Sequence, residues 1–185
     1  MSTASLRRDH ELIAKVIKAM ESTIQLLNDG KQIPESILLP VIDFSKNFTD
    51  VCHHSKEENS LFPALEQAGM PRNIGPIAIM LMDHERSREL GKEMESSAKN
   101  YISSGNSTKL INDMQQYVEH ITEHLWKENN KLFMMAEARL QYVSKKIDKE
   151  LNEIEESKLK ETGKTREHDE QLAETLTRDL SQQGN

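Results

Sequence analysis

The chain has 185 residues, 36% of them hydrophobic and only 4% aromatic, and a formal net charge of −7. That length supports one domain with a sizeable core plus an extension. An acidic balance with no block of Lys and Arg excludes a nucleic-acid or anionic-membrane surface, because phosphate contacts need clustered cations, and no apolar run is long enough to span a bilayer.

The single cysteine, Cys52, excludes an internal disulfide and fits a reducing cytoplasm. The stretch MSTASLRRDHELI has no apolar run after its arginines, so it does not read as a signal peptide and the expected location is cytoplasmic. Scarce glycine and proline lie mostly between long periodic stretches, which points to an all-α fold.

The first predicted helix runs from about Ser5 to Asn28 and stops at Asp29-Gly30, with a seam of Leu6, Ile13, Ile17, Met20, Ile24 and Leu27 into which His10 fits. The second begins near Pro34 or Pro40 and ends around Leu61, closed by Pro63. The third starts at Gly75-Pro76, presents Ile77, Met80, His84, Gly91, Met94 and Ala98 on one face, and ends at Gly105-Asn106. The fourth spans about Ser107 to Glu137 with the seam Leu110, Met114, Tyr117, Ile121, His124, Glu128 and Leu132. Four such helices with short connections predict an up-down-up-down bundle over 1–137. Residues 138–185 are more charged. Leu140, Val143, Ile147, Leu151 and Ile154 form the thin stripe of an additional C-terminal helix packed on the bundle or on a partner, and the stretch from Gly163 reads as a short helix or a frayed tail.

HHSKEENSLF at 53–62 and HLWKENNKLF at 124–133 share six of ten positions. The pairing sets His53 on His124, Glu57 on Glu128 and Leu61 on Leu132. Each copy carries His-x3-Glu, which on a helix puts imidazole and carboxylate on one face, about 6 Å apart along the axis. With His10 and His84 on the other two seams, every helix offers a nitrogen or a carboxylate to the interior. Unpaired ionisable groups in a bundle core are costly, and a pair of divalent ions turns that cost into binding energy. His and Glu without thiolate suit iron or manganese better than a structural zinc site.

These residues resemble the hemerythrin-like (HHE cation-binding) family, in its non-oxygen-carrier form. The carrying motifs are RRDHELI (His10), HHSKEENSLFP (His53, Glu57), GPIAIMLMDHERSREL (His84) and EHLWKENNKLF (His124, Glu128), and the likeness covers about Leu6 to Glu137. The resemblance implies a four-helix bundle holding two iron ions, oxo- or hydroxo-bridged, with Glu57 and Glu128 as bridging carboxylates and with manganese or zinc as other occupants. The sequence departs from the oxygen carriers. Met80 and Arg88 stand where carriers have a second third-helix histidine, Asn129 stands where they have an aspartate, and Met134 replaces a proline. That leaves the set one nitrogen short, and His54 is the candidate to supply it.

One conflict stays open within the second helix. The apolar seam through Phe44, Val51, Leu61 and Leu65 continues through His54 and Glu58, whereas His53 and Glu57 fall roughly 100° away on an ideal helix. The repeat favours His53 and Glu57, and a local bulge would bring both histidines inward. Among the other polar residues, Glu58 reads as a solvated or supporting carboxylate, Glu11 and Asp83 as surface groups, His120 as a rim histidine, His168 as exposed and Cys52 as a small core residue.

Resemblance suggests that the ferrous centre meets a small gaseous or peroxide ligand (O2, NO or H2O2) in sensing, detoxification or iron–sulfur repair. The alternatives are a metal-buffering protein without turnover, or a metal-stabilised interaction module that docks a protein partner or a second copy through the C-terminal helix.

Overall fold

A computed structural model describes residues 3–183, and among them the regular elements are helices. Helix α1 is Ala4–Asn28. Helix α2 is continuous over 35–67 but changes its winding, from α-helix at Glu35–Phe44 to π-helix at Ser45–His54 and Glu57–Leu61 and back to α-helix at Phe62–Gln67. Helix α3 is Pro76–Ser104. Helix α4 covers 108–139, α-helical at Thr108–Lys127 and Phe133–Arg139 with a π-helical turn at Glu128–Leu132 between them. Helices α5, Ser144–Thr162, and α6, Arg166–Gln183, follow.

The predicted starts and stops hold where Gly and Pro set them. Pro76 occupies the first turn of α3, and Gly105 ends it in the left-handed conformation at φ 74°. The second helix is where the prediction needs correction, because Pro63 does not close it. A proline disrupts an α-helix when its ring meets the carbonyl one turn back. Here a widened π turn immediately precedes it, and the helix continues to Gln67.

Helix α4 packs against both α1 and α3, and α2 packs against α3. Both α5 and α6 touch α1 and α2, α5 mainly along the π-helical part of α2 and α6 mainly along α1. The stretch from Gly163 is therefore a docked helix, not a frayed tail; its last two residues, 184 and 185, lie outside the described residues. Its buried side chains explain the docking: Ala173, Leu176 and Leu180 join the apolar cluster of Ile13, Met20, Phe44, Phe48, Met94 and Met114. From α5, Ile147 and Leu151 join a second cluster with Leu6, Phe62, Leu65, Ile77 and Phe133. Val143, placed in the α5 stripe from sequence, is exposed at the start of that helix.

The two apolar clusters are separate because a buried polar layer lies between their residues on all four of the first helices. That layer holds His10, His53, His54, Glu57, His84, His124 and Glu128. Burying so many ionisable groups opposes folding, so the apolar packing on either side must carry the stability. Leu176→Ala should lower the unfolding free energy by about 2–5 kcal/mol. Urea denaturation followed by circular dichroism should show one transition moved to lower denaturant; a separate early transition would show that α6 does not share the core.

Candidate metal centre

The two copies of the sequence repeat are also copies in structure. Each carries its π turn at the same place, Glu57–Leu61 in α2 and Glu128–Leu132 in α4, beginning at the glutamate of His-x3-Glu. In α2 a longer π segment precedes it and ends at His54. This winding resolves the conflict over which face of α2 points inward. The rings of His53 and His54 are both buried, Glu57 is fully buried, and Glu58 turns to the edge of the site with a quarter of its side chain exposed.

All seven residues singled out from sequence come together. One atom each from His10, His53, Glu57 and Glu128 lies within 4.8 Å of the others, and the same holds for Glu57, His84, His124 and Glu128 and for His54, His84 and His124. Glu57 and Glu128 belong to both halves. The closest approaches converge on them: His10 Nε2 to Glu128 Oε2 is 3.1 Å, His124 Nε2 to Glu128 Oε2 is 3.4 Å, and His84 Nε2 to Glu57 Oε2 is 3.3 Å.

Each imidazole is oriented from its other nitrogen. The Nδ1–H groups donate to Asn129 Oδ1 from His10 (3.0 Å), to Asp9 Oδ2 from His53 (3.1 Å), to Asp50 Oδ1 from His54 (3.3 Å) and to Glu58 Oε1 from His84 (2.7 Å). His124 Nδ1 faces Asp83 Oδ2 at 3.6 Å, an ion-pair distance longer than a hydrogen bond. A hydrogen on Nδ1 leaves Nε2 as a bare lone pair, the form in which imidazole binds a metal. Asp83 is therefore not the isolated surface group expected from sequence. It lies between His124 and Lys127, 3.1 Å from the Lys127 ammonium. Arg88 bridges two other partners, Asp50 at 2.8 Å and Glu58 at 2.6 Å.

Sequence reasoning missed Asp9, Asp50 and Asn129 and misplaced Asp83. A usable signal was present. Asp9, Asp83, Asn129 and Glu58 each follow or precede a buried His or Glu directly, and each supports a histidine of a different helix. Glu11 is exposed, and His120 Nε2 donates to the Asp83 backbone carbonyl at 2.8 Å, outside the cluster. Burial pushes the Cys52 thiol up to about 12, which leaves no thiolate.

The electrostatics mark the layer as a cation site. Burial pulls all five imidazoles below the ordinary histidine range, His124 to about 3. Burial pushes both carboxyls up, Glu128 to about 8, and the charge of Glu128 raises Glu57 further. The Nε2 atoms of His54, His84 and His124 and all four carboxylate oxygens of Glu57 and Glu128 are buried without a hydrogen-bond partner. His10 Nε2 and His53 Nε2 face each other at 3.2 Å. Lone pairs converging in this way need a cation between them. Five nitrogens and two shared carboxylates fit a pair of metal ions, one on the His10–His53 side and one on the His54–His84–His124 side.

The hemerythrin HHE cation binding domain matches residues 1–136. The chain belongs to this family. Among curated relatives, the iron-sulfur cluster repair protein YtfE of Escherichia coli O1:K1 / APEC is 29% identical over 88 residues, 45% of this chain and 40% of that protein. The proteins of the same name from Enterobacter sp. (strain 638) and Escherichia fergusonii match to the same extent. The match thus spans well under half of the length of these relatives. No solved structure matches the chain. Among the described residues no helix is long and apolar enough to cross a membrane.

Two routes approach the hemerythrin centre from outside. A cavity of about 330 Å³ between α2 and α3 reaches from Lys46 and Lys92 down to Ser87, Tyr117 and His54. A shallower groove between α1 and α4 passes His10.

If the layer exists to hold cations, removing one shared carboxylate should separate metal binding from folding. Glu128→Gln should fall from two metal ions per chain to one or none by equilibrium dialysis. Its metal-free form should melt no lower than the metal-free parent, since the change removes a buried acid that has no partner. A loss of thermal stability without a loss of metal would reverse the assignment.

Proposed function

We propose that this hemerythrin-family chain holds a non-haem di-iron centre in an up-down-up-down bundle, with His10 and His53 on one iron, His54, His84 and His124 on the other, and Glu57 and Glu128 shared. Its role is to meet a small diatomic or peroxide ligand in nitrosative or oxidative stress. The observation that carries this reading is the set of three overlapping three- to four-residue donor groups, two of which share the partnerless buried carboxylates Glu57 and Glu128. Iron, when bound, supplies an open coordination position and redox electrons for O2, NO or peroxide. The chain itself supplies five neutral imidazoles, four of them held in one tautomer by carboxylate or amide partners, and apolar packing on either side of the centre. The name shared by the relatives supports a connection with iron–sulfur repair.

A second reading, iron buffering without turnover, needs only the donor set. The cavity that ends at His54 supports the reactive reading, because it offers a small molecule a path to one of the donor side chains. Its lining mixes cations and anions, Lys46, Lys92 and Arg88 with Asp50 and Glu95, so it suits a small polar or uncharged ligand.

The deciding measurement is metal content followed by anaerobic reduction and optical titration with O2, NO and peroxide. Two irons per chain that react with at least one titrant are expected; two irons inert to all three would establish the buffering reading. The cavity can be tested separately. A Cβ on Gly91 would sit 3.9 Å from the Tyr117 ring, in ordinary contact, so a larger side chain there enters the cavity without displacing backbone. Gly91→Leu should slow ligand association measured by stopped flow about ten-fold or more while leaving iron content unchanged. An unaltered rate would send the ligand through the groove beside His10 instead.

A further inference from the structure

The five histidines do not depend on the same parts of the chain. His10 is supported by Asn129, His54 by Asp50, His84 by Glu58 and His124 by Asp83, all on the first four helices. The partner of His53 is Asp9, and Asp9 is held from outside that set. Its Oδ2 accepts from His53 and also from Lys56 Nζ at 2.6 Å, and its Oδ1 accepts from Arg166 at 2.7 Å. Lys56 in turn donates to Glu155 at 2.5 Å and to Ser5 at 2.9 Å, and Arg166 closes the ring on Glu155 at 3.1 Å. Two acids and two bases, one each from α1, α2, α5 and α6, thus form a closed, neutral ring around the oxygen atoms that orient His53. Asp9 and Lys56 are fully buried, and the Arg166 guanidinium lies over the Phe48 ring at 5.7 Å. The connection between α5 and α6 is anchored beside it, where Lys164 pairs with Asp43 of α2.

We propose that α5 and α6 act as positioning elements for one half of the metal pair: Glu155 and Arg166 hold Asp9, Asp9 holds His53, and the His10–His53 position therefore depends on the C-terminal helices while the His54–His84–His124 position does not. The inference rests on the two-metal reading of the site. Its physical basis is that a buried carboxylate keeps its place only while its hydrogen-bonding partners are there to hold it. Without Arg166, Oδ1 of Asp9 loses its partner and Lys56 is left to draw the carboxylate toward itself, away from the His53 Nδ1–H. Loss of such a supporting contact costs metal affinity about 10–100-fold. Arg166 and Glu155 touch no donor atom, so both are positioning residues.

The test uses the full chain and cobalt(II) as the probe. In the parent protein two cobalt ions should bind, and the imidazole N–H protons of all five histidines should appear as exchangeable hyperfine-shifted NMR signals. Arg166→Met should keep one tight cobalt with parental affinity, weaken the other about 10–100-fold, and at one equivalent of cobalt lose the signals of His10 and His53 only. Arg166→Lys should restore much of the second site. Arg88→Met, which removes the exposed bridge between Asp50 and Glu58, should leave the His10–His53 site at parental affinity. Equal weakening of both sites in Arg166→Met, or two sites of parental affinity, would overturn the inference. Should Arg166→Met fail to fold, Glu155→Gln, at a partly exposed position, decides the matter by the same readouts. A parent that does not bind two cobalt ions would overturn the two-metal reading and this inference with it; a parent that does, with variants that lose nothing, overturns this inference alone.

Discussion

Everything else in this molecule is arranged around two carboxylates, Glu57 and Glu128, that are fully buried and have no hydrogen-bond partner. Five neutral imidazoles converge on them, so the ionised layer carries a formal charge of about −2 in a low-dielectric interior. Among the described residues no lysine or arginine side chain pairs with Glu57 or Glu128. Lys56, Arg88 and Arg166 are all near, yet each is engaged with an outer carboxylate instead. Two divalent ions, as proposed, would more than neutralise the two carboxylates.

The constraint also explains the winding of the helices. An α-helical turn can aim one residue of an adjacent pair at an axis, not both. The π-helical segment of α2 ends at His54, and the added width brings His53 and His54 inward together. A second π turn begins at each glutamate and recurs in α4 at the equivalent residues. There Met134 stands where α2 has Pro63, and the turn forms all the same. The wide turn therefore follows the site and its packing, and the proline takes advantage of it.

The seven inner residues were legible because a repeated ten-residue motif and two seam histidines leave a strong trace in one dimension. The main helices were legible from apolar period and from Gly and Pro at their ends. Two things were not. The end of α2 was misplaced because a π turn has no simple sequence signature, and Pro63 reads locally as a stop. The outer partners were also missed. Asp50, one turn before His54 on the same helix, was readable at that spacing, but the others support a histidine on another helix: Asp9 sits next to His10 but holds His53, and Asn129 sits next to Glu128 but holds His10. Which helix lies opposite is a property of packing, and periodicity within one helix carries no record of it. The same holds for α6, whose thin apolar stripe of Ala173, Leu176 and Leu180 is too sparse to announce a docked helix until α1 is there to receive it.

The outer shell makes the two halves of the centre unequal. On the His54–His84 side, Arg88 ties Asp50 to Glu58 within the bundle, with a quarter of each side chain open to water. Pairs so exposed are screened and adjust at little cost. On the His53 side, Asp9 and Lys56 are wholly enclosed, and the counter-charges that complete their ring come from α5 and α6. Charges so buried are far less tolerant of a missing partner, since removing one leaves another uncompensated. The orientation of His53 is thereby tied to the C-terminal helices, whereas the His54–His84 side, next to the cavity, is held within the first four helices. If the site holds two ions as proposed, one lies on the enclosed side fixed by the C-terminal helices and the other beside the route from solvent.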